Sequence, residues 1–156
     1  ESWVDVYQGN LGIALPDTFT TEIFLKNFST KYAKLYDGVR QDSGDPIAFL
    51  EKVSIHYQSL RIDPTSKICM FSDNINSIDK VKNINSACAN VMIPRYGIGT
   101  WFTNHLGVKP LNMVIKLTEV ISNGEAIKTI KLSDDPMKNT GDSDTVSLCK
   151  KTLKII

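Results

Sequence analysis

The chain has 156 residues, enough for one ordinary domain with its own core, and its 42% hydrophobic and 22% charged content is that of a globular protein. Its net charge of +1 gives no bulk electrostatic case for nucleic acid or a membrane surface. No apolar run approaches the roughly 20 residues needed to span a bilayer. The opening ESWVDVYQGN carries no signal-peptide pattern and no initiator methionine, which reads as a fragment or a processed chain. Cys69, Cys88 and Cys149 match no zinc or redox spacing and read as reduced, mostly buried thiols of a cytosolic protein. The sequon Asn27-Phe28-Ser29 reads as chance, and no Pro/Gly/Ser-rich linker divides the chain.

In chain order, a unit recurs: a short apolar run, a polar loop, then a helical pattern. LGIAL leads through PDTFT into TEIFLKNF. YDGV leads through RQDSGDP into a helix with Leu50, Val53, Tyr57 and Leu60 on one face, at the helical period. Asp45 is placed to cap that helix, and Pro46 suits its first position. KICMF leads through SDNIN into a helix facing inward with Ile78, Val81, Ile84 and Cys88. NVMIPRY leads through GIGT into one more short helix. Strands alternating with helices of this length predict a parallel sheet, because each crossover must bring the chain back to run the same way. Four such units amount to about half of a (β/α)₈ barrel. The pattern then changes. Two strand-like runs flank Asn123-Gly124, a strong hairpin signal. From Asp142 to Leu153 the tail reads as a helix, with Val146, Cys149 and Leu153 on one face. The fold class expected is therefore α/β: part of an irregular TIM-like barrel with parallel strands, plus a C-terminal β-hairpin and helix. Half a barrel has two open edges, so the segment is expected to belong to a larger enzyme.

In parallel α/β folds the loops after the strands gather at one end and form the site. PDTFT, RQDSGDP, SDNIN and YGIGT should then face one cleft. Gly97, Gly99 and Thr100 read as an anion loop, with backbone N–H groups at a helix start suited to a phosphate. Arg40 can grip a carboxylate or phosphate with two parallel hydrogen bonds. Asp42 and Asp45 can accept from sugar hydroxyls or hold a magnesium ion bound to phosphates. Asp17 and Asp73 follow apolar runs in the same way. Acids, one arginine and a phosphate loop suit a phosphorylated sugar whose anomeric carbon develops positive charge. No Ser/His/Asp triad or His/Cys zinc cluster emerges. His56 reads as a surface or packing residue, and His105 stays open.

Five blocks in order, LGIALPDTFTTEIFL, YDGVRQDSGDP, SKICMFSDNIN, YGIGTWFTNHLGVKPLNMVIKL and KLSDDPMKN, resemble nicotinate phosphoribosyltransferase from about Trp3 to Asn139. The resemblance implies a cytoplasmic enzyme of NAD synthesis that joins nicotinate to 5-phosphoribosyl 1-pyrophosphate, releasing nicotinate mononucleotide and pyrophosphate. It further implies coupling to ATP hydrolysis, magnesium on the pyrophosphate substrate, and a homodimer with sites near the subunit boundary. The chain would be a single segment, the C-terminal half of the barrel, without the N-terminal domain. Carried over by motif, Asp17, with Thr18 beside it, and Arg40 should border the pyridine ring. Asp42 should meet the ribose hydroxyls, with Ser43 and Gly44 in the same DSGD block. Asp73 and Asn74 should lie near that sugar, and Gly97, Gly99 and Thr100 should hold the 5-phosphate. Arg40 and Asp42 are the catalytic candidates. Lys131, Ser133 and Asp134 fall in a block with no assigned role. Gln41 departs from the histidine of many members and so removes a possible titrating group from the site. The family's phosphorylatable histidine lies upstream of this segment, so the segment alone is expected to be inactive. A nicotinamide-using relative and a non-catalytic phosphate-binding remnant are the alternatives.

Overall fold

A computed structural model of the chain describes residues 1–104, 106–109, 111 and 113–155. In chain order the elements are α1 (Ser2–Tyr7), β1 (Ile13–Ala14), α2 (Thr21–Asn27), α3 (Thr30–Leu35), β2 (Gly38–Gln41), α4 (Pro46–Ser59), β3 (Ile68–Phe71), α5 (Ile78–Cys88), β4 (Ile93–Tyr96), α6 (Thr100–Thr103), β5 (Glu119–Ser122), β6 (Glu125–Lys128) and α7 (Ser143–Leu153). Short 3₁₀ turns at Pro64–Ser66 and Pro136–Lys138 complete them. The first four strands form one parallel sheet in the order β1-β2-β3-β4, and β5 and β6 form a separate antiparallel hairpin. The recurring strand-loop-helix unit is thus present four times. The four strands make an open sheet, which is α/β without a closed barrel.

Helix α4 starts where its capping signals lie. Asp45 Oδ1 accepts from the backbone N–H of Ile47 at 2.9 Å and of Ala48 at 2.8 Å, and Pro46 opens the first turn. Asp45 Oδ1 is therefore spent on the cap, the role that its position before Pro46 predicts, and it is the weaker of the two acids as a ligand for sugar or magnesium. Leu50, Val53 and Tyr57 are buried, and Leu60 ends the helix as its C-cap. Helix α5 buries Ile84 and Cys88, whereas Ile78, at its first turn, is exposed. These faces pack on Val39, Cys69 and Phe71 from one side of the sheet. Each such large apolar side chain, fully buried, contributes about 1.5–3 kcal/mol. Strand β1 has only two residues, since Pro16 has no N–H with which to extend the ladder.

The hairpin turns at Asn123 and Gly124, both with positive φ (53° and 82°), as a two-residue primed turn requires. All its strand residues are exposed. Asp142 caps α7 through Thr145 and pairs with Lys128 of β6 at 3.3 Å, which ties the helix to the hairpin. Helices α1 and α3 have no counterpart in the sequence reading. No helix among the described residues is long and apolar enough to cross a membrane. Cys69 and Cys88 are buried free thiols, and burial pushes the Cys88 thiol up to about 11.

Candidate functional site

Strand register decides what gathers at the carboxyl end of the sheet. Gln41, Phe71 and Tyr96 are aligned across β2, β3 and β4, so Asp42, Ser72 and Gly97 follow at one level. The ladder runs on past the strands, with Ser72 N–H donating to the Gln41 carbonyl at 3.0 Å and Gly97 N–H to the Phe71 carbonyl at 2.8 Å.

Period-two alternation sends Val39 and Gln41 to the helix-covered face and Arg40 to the opposite one. Arg40 donates from Nε to Ser72 Oγ at 2.7 Å and from Nη2 to Asp42 Oδ1 at 2.9 Å. Ser72 Oγ also lies 3.0 Å from Asp42 Oδ1. The Arg40 side chain is 41% exposed, and its guanidinium has further N–H donors for a ligand. Gln41, only 1% exposed, donates its amide to the carbonyl oxygens of Ser43 and Gly44, both at 3.0 Å. It braces the loop from behind, on the face of the strand opposite Arg40. Gly44 has φ 73°, a conformation that glycine adopts without strain.

A segment far along the chain crosses these loops. Leu132 N–H donates to the Thr18 carbonyl at 2.7 Å, and Asp134 accepts from the backbone and hydroxyl of Thr21. The Asp17 carboxylate, 3% exposed, receives Ser43 Oγ at 2.5 Å, Ser133 Oγ at 2.8 Å and Lys131 Nζ at 2.6 Å. Lys138 Nζ donates to the Asp42 carbonyl at 2.6 Å and to Asp73 Oδ1 at 2.8 Å. Thus Asp17 meets Ser43 and Arg40 meets Asp42 directly, while Lys138 links Asp42 to Asp73 and Gln41 holds Ser43 and Gly44. Thr18 is exposed beside Asp17. Asn74, exposed and at φ 53°, follows Asp73. Gly97 adjoins Ser72, where an added Cβ would lie 3.0 Å from the serine Cβ. Gly99 and Thr100 begin the four-residue α6, with open space around Gly99. His56 donates from Nε2 to the Phe28 carbonyl at 2.8 Å, a packing role, and His105 lies outside the described residues.

Ser72 and Lys138 were not singled out in the sequence. Lys138 lies in the stretch KLSDDPMKN, and no local spacing connects it to residues 65 and 96 positions earlier.

The model of the nicotinate phosphoribosyltransferase (NAPRTase) family matches residues 1–155. The chain belongs to this family. A nicotinate phosphoribosyltransferase of Desulforapulum autotrophicum is 52% identical over 98% of the chain and 40% of its own length. One of Chromohalobacter salexigens is 49% identical over 99% of the chain and 40% of its own length. The crystal structure of nicotinate phosphoribosyltransferase from Porphyromonas gingivalis superposes with a TM-score of 0.91 at 40% identity, covering 97% of the chain and 40% of that structure. The chain thus spans about two-fifths of the length of the relatives it matches.

The family resemblance implies magnesium on the pyrophosphate substrate, and the side chains present bear on that expectation. Among the described residues no three His, Cys, Asp or Glu side chains group as a metal cage. Asp42 and Asp73 each have one oxygen engaged by a cation. One or two carboxylate oxygens fit a magnesium ion that arrives on phosphates and keeps most of its waters.

The buried Asp17 makes a further prediction for this family member. Burial alone raises its pKa, but hydrogen bonds from Lys131, Ser43 and Ser133, together with the Lys131 charge, bring it below the ordinary aspartate value. A depressed folded pKa stabilises above the unfolded value and is lost as pH falls through the folded one. Asp17→Asn should therefore cost about 2 kcal/mol at pH 7. The gap to wild type should shrink as pH falls below about 4. Urea unfolding at pH 7 and at pH 3 would show it, and a deficit equal at both would refute the ionic role.

Proposed function

We propose that the complete protein joins nicotinate to 5-phosphoribosyl 1-pyrophosphate, giving nicotinate mononucleotide and pyrophosphate for NAD salvage. The observation that carries this reading is the cluster of Arg40, Asp42, Ser72 and Asp73 at aligned strand tips. Bond breaking at the anomeric carbon leaves an oxocarbenium-like centre, and the Asp42 and Asp73 carboxylates supply the opposing charge. Arg40, with donors left over from Ser72 and Asp42, holds the nicotinate carboxylate at the attacking ring. Asp17, with Thr18 beside it, serves the pyridine subsite by fixing Ser43 and Lys131. Ser43 and Gly44 carry the loop that sets Asp42, and Asn74 flanks the sugar. Gly97, Gly99 and Thr100 hold the 5-phosphate. Magnesium, when bound with the substrate, offsets the charge of the leaving pyrophosphate. Asp42 and Asp73 are the residues able to reach it.

The four-stranded sheet is part of an irregular barrel that the rest of the protein completes. ATP coupling, a homodimer and a cytoplasmic location are carried over from the family resemblance. Chromatography of products made by the complete protein from each base, with the pyrophosphate substrate, magnesium and with or without ATP, tests these readings. Nicotinate mononucleotide is the expected product, formed more efficiently with ATP. Preference for nicotinamide would overturn the assignment of the base. Absence of any product would leave a phosphate-binding remnant.

A further inference from the structure

Lys138 ends the 3₁₀ turn Pro136–Lys138 and reaches back to two strand tips at once. A lysine ammonium has three N–H donors in a fixed tetrahedral arrangement. With one on the Asp42 carbonyl and another on Asp73 Oδ1, it fixes the spacing between the β2 and β3 loops. Arg40 and Ser72 hold Asp42 Oδ1 independently. One oxygen of each carboxylate is thus engaged, whereas Asp42 Oδ2 and Asp73 Oδ2 have no hydrogen-bond partner among the described residues. The two side chains are 27% and 29% exposed, so a ligand can reach them. Burial works against the Lys138 charge, but Asp73, with Asp42 and Asp17 beyond it, more than offsets this and raises its pKa. The lysine accordingly stays an ammonium throughout the neutral range.

We propose that Lys138 is a positioning residue for the pentose subsite, holding Asp73 and the Asp42 backbone so that the second oxygens of both carboxylates accept from neighbouring hydroxyls of a pentose phosphate. The inference rests on the phosphoribosyl transfer proposed above and adds a residue from outside the strand-tip loops. Without the ammonium, Asp73 would sample other rotamers, and ordering it would fall on ligand binding. Lys138 itself touches no reacting atom.

Kinetics of the complete protein test this. Lys138→Met keeps the length of the chain and removes the charge. It should raise KM for 5-phosphoribosyl 1-pyrophosphate by about tenfold to a hundredfold, the size of one charge-assisted hydrogen bond, and leave KM for nicotinate unchanged. Asp73→Asn should act similarly, and the double variant should be less impaired than the product of the two single effects, since the Lys138–Asp73 contact is common to both. Lys138→Arg should recover part of the loss. An unchanged KM for the pyrophosphate substrate, an equal rise in both KM values, or additive effects of Lys138→Met and Asp73→Asn would overturn the proposal. Should Lys138→Met fail to fold, Asp73→Asn decides alone: an unchanged KM for the pyrophosphate substrate overturns it. Calorimetry with ribose 5-phosphate separates this inference from the reading it rests on. Binding that Lys138→Met weakens at least tenfold supports the positioning role even if no nucleotide is made. Product formation by wild type together with an indifferent Lys138→Met leaves the reaction standing and removes the role. Neither binding nor product removes both.

Discussion

Arg40→Ala in the complete protein should lower kcat/KM for nicotinate by about a thousandfold, roughly 4 kcal/mol, the range seen when one partner of a desolvated charge pair is removed. Two losses combine. The ligand carboxylate loses a fork of N–H donors, and Asp42 loses the Nη2 donor at 2.9 Å that fixes its Oδ1. Turnover of nicotinamide, which has no carboxylate, should fall less, so the preference for nicotinate should narrow. Arg40→Lys should lie in between. An ammonium keeps the charge but cannot span Ser72, Asp42 and a ligand together. Product assays with each base check this, and wild-type turnover by Arg40→Ala would refute the role.

Gly38→Ala should be the most damaging change to the fold, costing about 3 kcal/mol or more, the upper range of overpacking a close-packed interior. Gly38 pairs with Ile68 in the register of β2 and β3. A Cβ at Gly38 would sit 2.0 Å from the Ile68 carbonyl oxygen and 2.7 Å from its carbonyl carbon. These are backbone atoms, so no rotamer change relieves the clash. The strands must separate or slide, and the same displacement moves Asp42 away from Ser72. Hydrogen exchange at β3 amides, with the thermal midpoint, reads both effects. Native protection in the variant would show that the sheet absorbs the methyl group.

Local signals were legible in the amino-acid order because each depends on neighbours within about one turn or one hairpin. The helical spacing of Leu50, Val53 and Tyr57, the Asp45 cap, the C-terminal helix and the Asn123-Gly124 turn are of this kind. The repetition of strand, loop and helix was enough to call for parallel strands. Helices α1 and α3, six residues each, are too short for periodicity to register. Gln41 shows a signal that was present and unused: strand alternation places it opposite Arg40.

What the residue order determined by itself was a set of α/β units with acids, an arginine and glycines after the apolar runs. Only the tertiary structure decided which of those groups are free to meet a ligand. It buried Asp17 beneath Ser43, Ser133 and Lys131, turned Gln41 away from Arg40 to brace the loop, and brought Lys138 onto Asp42 and Asp73. The reason is physical. A hydrogen bond between residues 65 to 116 positions apart depends on strand register and on where the chain returns, and neither leaves a period in the sequence.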